Sequence, residues 1–473
     1  MERRSFLRNS SLIMTAGALF GPARSSANSF AGQKGKTVRN IIFMVSDGMS
    51  TGTLNMTDLL LQRKEGRRST WLSLYDEKKV TRALMDTASA SSLVTDSAAA
   101  SSSWGGGKRV KNGSLNTNAD GSFNIPILQK FKAAGKAVGC VTTVPITHAT
   151  PAGFCICNDK RGDQEEIAMQ YLPLRFDVMM GGGKQYFSAE KRKDKQDMLR
   201  QYRDKGYDTV TEKKQLLSVT GDKPLLGVFA DDGLPYTIDQ QQDETVKAIV
   251  PTLSEMTATA ISLLNKHPNG FVLQVEAGKV DWAAHANDIS ALVYDQAAFD
   301  DAIREAINFA SSREDTLVII TTDHGNANPG LFYGNDANRN FDMLRHFRHS
   351  NDWILNGIDR NFFPQQVIER VEYATGMALK KEEATTLLAS YSSNETGIYN
   401  PRHLPFKYLA DLQRTYTSVG WASMDHSADF VELALYGPGS QLLPPFVKNT
   451  DLHFLMLQAA GIPDTGVQAG SIA

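Results

Sequence analysis

Acidic side chains mark the ends of several short apolar runs in this 473-residue chain. Asp47 and Asp323 each stand within two residues of the end of such a run, and Glu276 directly follows a third run. A single acid in this position is usually a helix N-cap or a turn residue. Three acids at one edge of a sheet would repel one another unless cations lay between them. The pattern therefore predicts a site for divalent metal ions.

Histidines near these acids indicate which metal would bind. Asp281 and His285 are four residues apart, which on a helix places both side chains on one face. Asp323 and His324 are adjacent at a predicted strand end, where irregular backbone can direct both at one point. His426 precedes the last predicted strand. Imidazole and carboxylate ligands without a thiolate are typical of a catalytic zinc site.

Hard oxygen ligands complete the predicted set. Thr150 and Glu276 offer oxygen atoms that suit Mg²⁺. The predicted metal ligands are Asp47, Thr150, Glu276, Asp281, His285, Asp323, His324 and His426.

The other histidines are predicted to lie outside this site. His346 and His349 belong to the segment Arg-His-Phe-Arg-His, predicted to be a solvated basic face, with a substrate contact as the alternative. His267, His403 and His453 are predicted to be surface residues or hydrogen-bonded structural residues.

A serine in a segment of small residues is the candidate nucleophile. Ser97 is followed by three alanines, which favour a helix that begins there. A serine at a helix N-terminus lies beside free N–H groups and the positive end of the helix dipole, where an anion can bind. The alternative is a serine N-cap without any chemical role.

The elements that must position these groups follow a consistent pattern. Short Val-, Ile- and Leu-rich runs suit strands buried on both faces of a largely parallel sheet, with helices between them. Predicted strands are Val38–Val45, Ala137–Thr143, Phe271–Val275, Leu317–Thr321 and Val431–Leu435, and predicted helices include Asp243–Asn265 and Ser290–Ala310. The predicted fold class is α/β, doubly wound, in which ligands bind beyond the carboxyl ends of the strands.

Composition excludes other classes of protein. With 50 basic and 52 acidic residues the net charge is −2, so a nucleic-acid binder that relies on bulk charge is excluded. No run of about 18 apolar residues is present, so no membrane-spanning helix is predicted.

The amino terminus has the pattern of an export signal. A charged start containing Arg3 and Arg4 precedes a modestly apolar stretch, and small residues follow up to Ala27. This pattern predicts a twin-arginine signal peptide over residues 1–27 and a periplasmic or secreted protein. The alternative is a basic, disordered tail.

Three cysteines, Cys140, Cys155 and Cys157, cannot form a complete set of disulfides. One bridge from Cys140 and three free thiols are both compatible with the sequence.

Together these segments make the chain similar to the alkaline phosphatase family. The motifs that carry the resemblance, in family order, are Ile42–Met49, Val94–Ala99, His148–Pro151, Phe176–Gly183, Glu276–Asp281 with His285, Thr322–His324, and His426 ahead of Tyr436–Gly439. They cover residues 37–326 and 418–461. The resemblance implies a metal-dependent phosphomonoesterase that acts on small phosphate monoesters through a phosphoserine.

Residue roles are implied in the same way. Ser97 would accept the phosphoryl group, and Arg161, placed eleven residues after Thr150, would clamp it. Two Zn²⁺ ions and one Mg²⁺ ion would be the cofactors. The first zinc would be held by Asp281, His285 and His426, the second by Asp47, Asp323 and His324, and the Mg²⁺ by Thr150 and Glu276 with Asp47 as a bridge.

Two positions vary among family members. Here they are His148, which could ligate the third ion and let it be zinc or cobalt, and Trp282, which offers phosphate no cation. The predicted catalytic domain covers 36–329 and 416–473, and 330–415 is predicted to be a partly helical insertion near the active site. A homodimer is compatible with the resemblance. A phosphodiesterase of the same superfamily and a non-catalytic exported phosphate- or metal-binding protein are the rival functions.

Overall fold

Val, Ile and Leu residues build a ten-stranded central sheet, as expected for strands covered on both faces. Its strands are β1 (Asn40–Ser46), β2 (Val80–Asp86), β3 (Ala137–Pro145), β4 (Val178–Gly182), β5 (Asp208–Val210), β6 (Leu225–Val228), β7 (Phe271–Ala277), β8 (Thr316–Thr321), β13 (Val431–Tyr436) and β14 (Phe446–Lys448). Four two-residue strands lie outside it: β9 (Gly325–Asn326), β10 (Gly330–Leu331), β11 (Val419–Gly420) and β12 (His426–Ser427). The computed structural model describes residues 37–359, 361–391 and 404–464. The predicted signal peptide and His403 lie outside these ranges.

Strand directions confirm the predicted fold class, with one difference. The order in the sheet is β14-β2-β13-β8-β1-β7-β3-β4-β6-β5. All pairs are parallel except those of β13, which runs antiparallel to both β2 and β8. The start of β13 therefore lies at the same sheet edge as the carboxyl end of β8. This reversal brings the segment before β13, which contains His426, to the edge where ligands are expected.

Helices cover both faces of the sheet. They are α1 (Thr51–Glu65), α2 (Thr70–Asp76), α3 (Ser97–Gly106), α4 (Ile127–Ala133), α5 (Ala149–Cys155), α6 (Gln164–Leu174), α7 (Met198–Asp204), α8 (Lys213–Leu217), α9 (Thr237–Gln240), α10 (Glu244–Ile249), α11 (Leu253–Leu264), α12 (Lys279–His285), α13 (Ile289–Ser311), α14 (Ala337–Asp342), α15 (Asn351–Asn356), α16 (Pro364–Thr375), α17 (Lys381–Ala389), α18 (Phe406–Thr417) and α19 (Asp451–Ala459). No helix in the described ranges is both long enough and apolar enough to cross a membrane.

One of the two predicted helices is continuous and the other is not. Ser290–Ala310 falls within α13, which Asp288 caps by accepting a hydrogen bond from Ala291 N. Asp243–Asn265 was wrong as a single helix, because it divides into α10 and α11 around Pro251. Proline restricts the residue before it to extended backbone, and Val250 is extended.

Alternation along the strands sends side chains into two cores. In β1, Ile42 and Met44 enter one core, whereas Ile41 and Phe43 enter the core on the opposite face. The segment 330–415 is partly helical, and apolar residues of it such as Phe341 join the first of these cores.

The structure also answers two smaller questions about cysteine and histidine side chains. Cys140, Cys155 and Cys157 are free thiols. His453 is buried and its Nδ1 bonds the Trp104 carbonyl, as predicted for a structural histidine.

The prediction of a solvated face was wrong for one histidine of the basic segment. His346 is exposed, but His349 is buried, with Nδ1 3.0 Å from Asp239 Oδ1 and its ring stacked on Trp353. The carboxylate comes from α9, so the local sequence of His349 gave no sign of this partner.

Candidate metal centre

The three strand-end acids lie side by side at one sheet edge. Val45 pairs with Glu276 in β7 and with Thr321 in β8, so the ends of β1, β7 and β8 are level. Asp47, Glu276 and Asp323 are all fully buried. Burial of several carboxylates in one place is unfavourable unless cations or protons balance them.

A first cluster of ligand atoms forms where α12 meets the segment before β13. Asp281, His285 and His426 each place one ligand atom within 4.8 Å of the others. His285 Nδ1 bonds the Met424 carbonyl at 2.7 Å and His426 Nδ1 bonds the Thr95 carbonyl at 2.9 Å. Each ring thus donates at Nδ1 and turns the lone pair of Nε2 inward, the arrangement typical of metal-binding histidines. The two Nε2 atoms face each other at 3.0 Å, which suits two ligands of one cation.

The second cluster lies next to the first, since the ring of His324 stacks on that of His426. It joins Asp47, Asp323 and His324. His324 Nε2 is 3.2 Å from Asp323 Oδ2 and 3.6 Å from Asp47 Oδ1. Asp47 Oδ1 and Asp323 Oδ2 are buried without a hydrogen-bond donor among the described residues. Two unpartnered carboxylate oxygens beside an imidazole fit a divalent cation.

A third cluster joins Asp47 to Glu276 and His148. Glu276 Oε1 and His148 Nδ1 are buried and unpartnered within the described residues. Thr150 Oγ1 donates to Asp47 Oδ2 at 3.2 Å, and Thr142 donates to Glu276 Oε2. The predicted oxygen ligands Thr150 and Glu276 are therefore together, and His148 lies beside them.

Close approach of these clusters depends on a glycine. Gly48 has φ +67°, and a Cβ built on it would lie 2.5 Å from Asp281 Oδ1. A side chain at this position would therefore displace Asp281 from Asp47. The glycine after the strand-end acid lets the first two clusters meet.

The pKa values of several side chains in the metal-free site are shifted from their usual values. Burial raises the pKa of Asp47 well above its usual value, and Asp323 and Asp281 raise it further. Burial likewise raises the pKa of Glu276 to about 8, opposed by its hydrogen bond from Thr142. Burial lowers the pKa of His426, but Asp281 overcomes this and raises it to about 9. Without a cation the site takes up protons, so metal binding would release them.

Ser97 faces the second cluster. It is the first residue of α3, and Asp96 caps the helix by accepting a hydrogen bond from Ala99 N at 2.9 Å. Ser97 is 1% exposed, with Oγ 3.4 Å from His324 Nε2. The predicted nucleophile and the predicted ligands are thus in one place.

Arg161 reaches the same site from the loop after α5. Its Nη1 donates to Asp96 Oδ2 at 3.0 Å and its Nη2 donates to His148 Nε2 at 3.2 Å. Burial and the neighbouring Arg161 lower the pKa of His148 to about 3, so the ring is neutral and accepts this bond. Trp282, on α12, meets the His148 ring edge to face with 6.1 Å between centroids.

A cavity of about 420 Å³ opens over the serine and is lined by Ser97, Arg161, Asp281, His285 and His426, among others. In the described part of the chain, no side chain of 330–415 lines it. The proximity of the insertion to the site stays a prediction.

Sequence reasoning missed residues that support the site. Asp96 holds both the Ser97 helix and Arg161, and it also accepts Gly113 N. Asn326 donates to Asp281 Oδ1 at 2.7 Å. An aspartate just before a helix start is a recognisable N-cap pattern, whereas nothing local indicated the contact of Asn326.

Comparison with known proteins agrees with this geometry. The sequence model of the alkaline phosphatase family matches residues 38–462. Alkaline phosphatase 4 of Bacillus subtilis (strain 168) is 28% identical over 447 residues, covering 93% of each chain, and alkaline phosphatase 3 of that organism is 30% identical, covering 88% of this chain and 87% of its own. The crystal structure of Thermus thermophilus alkaline phosphatase superposes with a TM-score of 0.85 at 33% identity, covering 94% of this chain and 96% of that one. With its fold and buried clusters of metal-ligand type, this chain belongs to the alkaline phosphatase family and is a phosphomonoester hydrolase.

Proposed function

We propose that the chain hydrolyses phosphate monoesters through a phosphoserine on Ser97, with two zinc ions and one magnesium ion bound beside it. The observation that carries the proposal is a group of three ligand clusters with a serine hydroxyl beside it, 3.4 Å from His324 of the second cluster. Asp47 belongs to two of these clusters, so the ions would share a ligand.

The donor atoms support the choice of ions. Asp281, His285 and His426 would hold one zinc, because two imidazoles and a carboxylate suit that ion. Asp47, Asp323 and His324 would hold the second. The third site is richer in oxygen, and Asp47, Thr150 and Glu276 suit Mg²⁺. His148 belongs to this cluster as well. For its Nδ1 to ligate zinc or cobalt, the ring would have to carry its proton on Nε2 and give up the hydrogen bond from Arg161.

Bound divalent ions supply Lewis-acid charge that favours the ionised serine and stabilises the departing oxygen. In the reaction the Ser97 oxygen attacks phosphorus, the ester bond breaks, and the alcohol leaves with a proton. Water then hydrolyses the phosphoserine, which releases phosphate and restores the hydroxyl. The free N–H groups at the start of α3 would bind unesterified phosphoryl oxygens.

Arg161 would bind two phosphoryl oxygens with its planar fork. Asp96 and His148 hold its two terminal nitrogens from the side, so the guanidinium is oriented before substrate arrives. A dianionic monoester has unesterified oxygens enough for both this fork and the N–H groups of α3, whereas a diester has one fewer, which favours monoesters over the diesterase alternative.

A comparison of two aryl esters tests this function. Purified, metal-loaded protein is expected to hydrolyse an aryl phosphate with a kcat/KM at least about tenfold above that for the bis-aryl phosphate, because a diester forfeits a charge-assisted hydrogen bond. A chelator should abolish both rates, and zinc with magnesium should restore them. Faster diester hydrolysis would favour the phosphodiesterase, and no hydrolysis by protein with its full metal content would favour the non-catalytic binding protein.

Residues 1–27 would export the protein to the periplasm or the medium by the twin-arginine route. The paired Arg3 and Arg4 ahead of an apolar stretch support this proposal. Changing both to Lys should leave the uncleaved chain in the cytoplasm, measured by fractionation and mass spectrometry, whereas the single change Arg8→Lys should leave export intact. Normal export of the double variant would contradict the proposed route.

A further inference from the structure

A buried lysine lies behind the candidate metal centre with no polar partner. Lys279, the first residue of α12, is 7% exposed. Its ammonium makes no hydrogen bond or ion pair within the described residues. Instead, Nζ lies 3.7 Å from the ring centroid of Tyr236 and 4.6 Å from that of Trp282. Two aromatic faces therefore contact this cation.

Such a contact constrains both partners. A cation over an aromatic face contributes most when it is desolvated, and Lys279 is desolvated. If the ammonium moved from the Trp282 ring, it would lose one of its two aromatic contacts. The position of the ring is thus coupled to the charge of the lysine.

The backbone of Gly233 packs against both Trp282 and Lys279. A Cβ built on Gly233 would lie 2.9 Å from the Trp282 ring and 3.2 Å from Lys279 Cδ. The two side chains therefore pack directly against a bare Cα. This contact restricts movement of the indole toward Gly233.

From the indole, contacts lead to the phosphate-binding group. The rings of Trp282 and His148 meet edge to face at 77°, and His148 Nε2 accepts the hydrogen bond from Arg161 Nη2. We infer that Lys279 is a positioning residue for phosphate binding: through Trp282 and His148 it holds the Arg161 guanidinium in the orientation that grips the phosphoryl group. The inference rests on the proposed phosphate contact of Arg161.

Lys279 itself touches neither substrate nor phosphate in this arrangement. Its loss should therefore weaken binding of substrate and phosphate more than it slows turnover. Asp96 still holds Arg161 Nη1, so the effect should be partial.

The test uses full-length, metal-loaded protein with Lys279→Met, which keeps an unbranched, apolar side chain and removes the charge. We expect the KM for an aryl phosphate and the Kd of inorganic phosphate, measured by calorimetry, each to rise about tenfold, as for the loss of one desolvated cation–π contact. The kcat should change less than twofold. The emission of Trp282 should shift, and Lys279→Arg should restore both constants.

A matched control removes another lysine that lies over an aromatic ring. Lys64 Nζ is 4.3 Å from the Tyr294 ring centroid, and Lys64 does not line the cavity that Arg161 lines. Lys64→Met should leave both constants unchanged. In a Trp282→Leu background, Lys279→Met should have no further effect, because the contact that transmits it is already gone.

Several outcomes overturn the inference. The first is an unchanged phosphate Kd in Lys279→Met. The second is a double variant in which the fold-changes in Kd of Lys279→Met and Trp282→Leu multiply, and the third is a fall in kcat with KM and Kd unchanged. If Lys279→Met does not fold, Trp282→Leu alone must raise the phosphate Kd, and an unchanged value ends the inference. Arg161→Ala separates the two proposals: if it leaves the phosphate Kd unchanged, the proposed role of Arg161 fails, whereas a rise there without one in Lys279→Met refutes only the positioning role.

Discussion

Ser97→Ala should reduce turnover of an aryl phosphate by at least roughly 10³-fold, because the hydroxyl that forms the covalent intermediate is removed. The side chain accepts no hydrogen bond on which the cap of α3 depends, since Asp96 supplies that cap. The variant should therefore fold and hold its metal. Rapid-quench trapping followed by mass spectrometry should find phosphoserine at position 97 in the unchanged protein and none in the variant.

A second serine of the same helix provides the matched control. Ser103 is also buried, but its hydroxyl donates to the Ala99 carbonyl within α3. Ser103→Ala should keep turnover within a few-fold of the unchanged protein. If Ser97→Ala kept near-normal activity at full metal content, the proposed nucleophile would be wrong and water would have to attack the ester directly.

Asp47→Asn should cause a comparable loss of activity for a different reason. Asp47 takes part in two ligand clusters, so its loss should weaken two ions at once. We expect metal analysis to show fewer bound ions and turnover to fall by at least roughly 10³-fold, since metal-assisted hydrolysis depends on the charge that the ions supply. Asp58→Asn, at a buried aspartate that bonds Ser69 N, is the control and should retain the full metal content.

The free energy of unfolding of the metal-free protein should depend on pH. In metal-free protein, burial raises the pKa of Asp47 well above its usual value and that of Glu276 to about 8. A carboxyl whose folded pKa is raised contributes stability that is lost as the pH rises. The free energy of unfolding of the metal-free protein should therefore fall as the pH rises from about 4 to 8.

Asp47→Asn removes one of the repelling carboxyls. Without metal, the variant should therefore be more stable than the parent protein at pH 8. Its free energy of unfolding should also fall less as the pH rises. With metal present it should be less stable than the parent, because ligand binding stabilises the folded state in proportion to affinity. Thermal unfolding with and without chelator measures both. A metal-free variant less stable than its parent at pH 8 would show that repulsion does not dominate this site.

Patterns among residues close in sequence correctly predicted individual strands and helices. The runs that end at Asp47, Glu276 and Asp323 are strands whose carboxyl ends are level, because parallel strands buried on both faces are continuous apolar runs. The spacing of Asp281 and His285 is one turn of α12. The helix start at Ser97 was predictable from the small residues that follow it.

Tertiary structure decided what no short window contains. The reversed direction of β13 brings His426 to the edge at which Asp281 lies, and no pattern within 431–436 distinguishes a parallel from an antiparallel strand. The buried His349 contacts a carboxylate that belongs to a helix distant in sequence.

By itself, then, the sequence determined the fold class and predicted the candidate ligands and the candidate serine, since periodicity and motif order depend on neighbours along the chain. Only the folded chain decided how three acids come to share one buried edge, and how Lys279 contacts Trp282 behind Arg161. Such contacts join residues far apart in sequence, and their energies come from burial and charge in three dimensions, which no local pattern records.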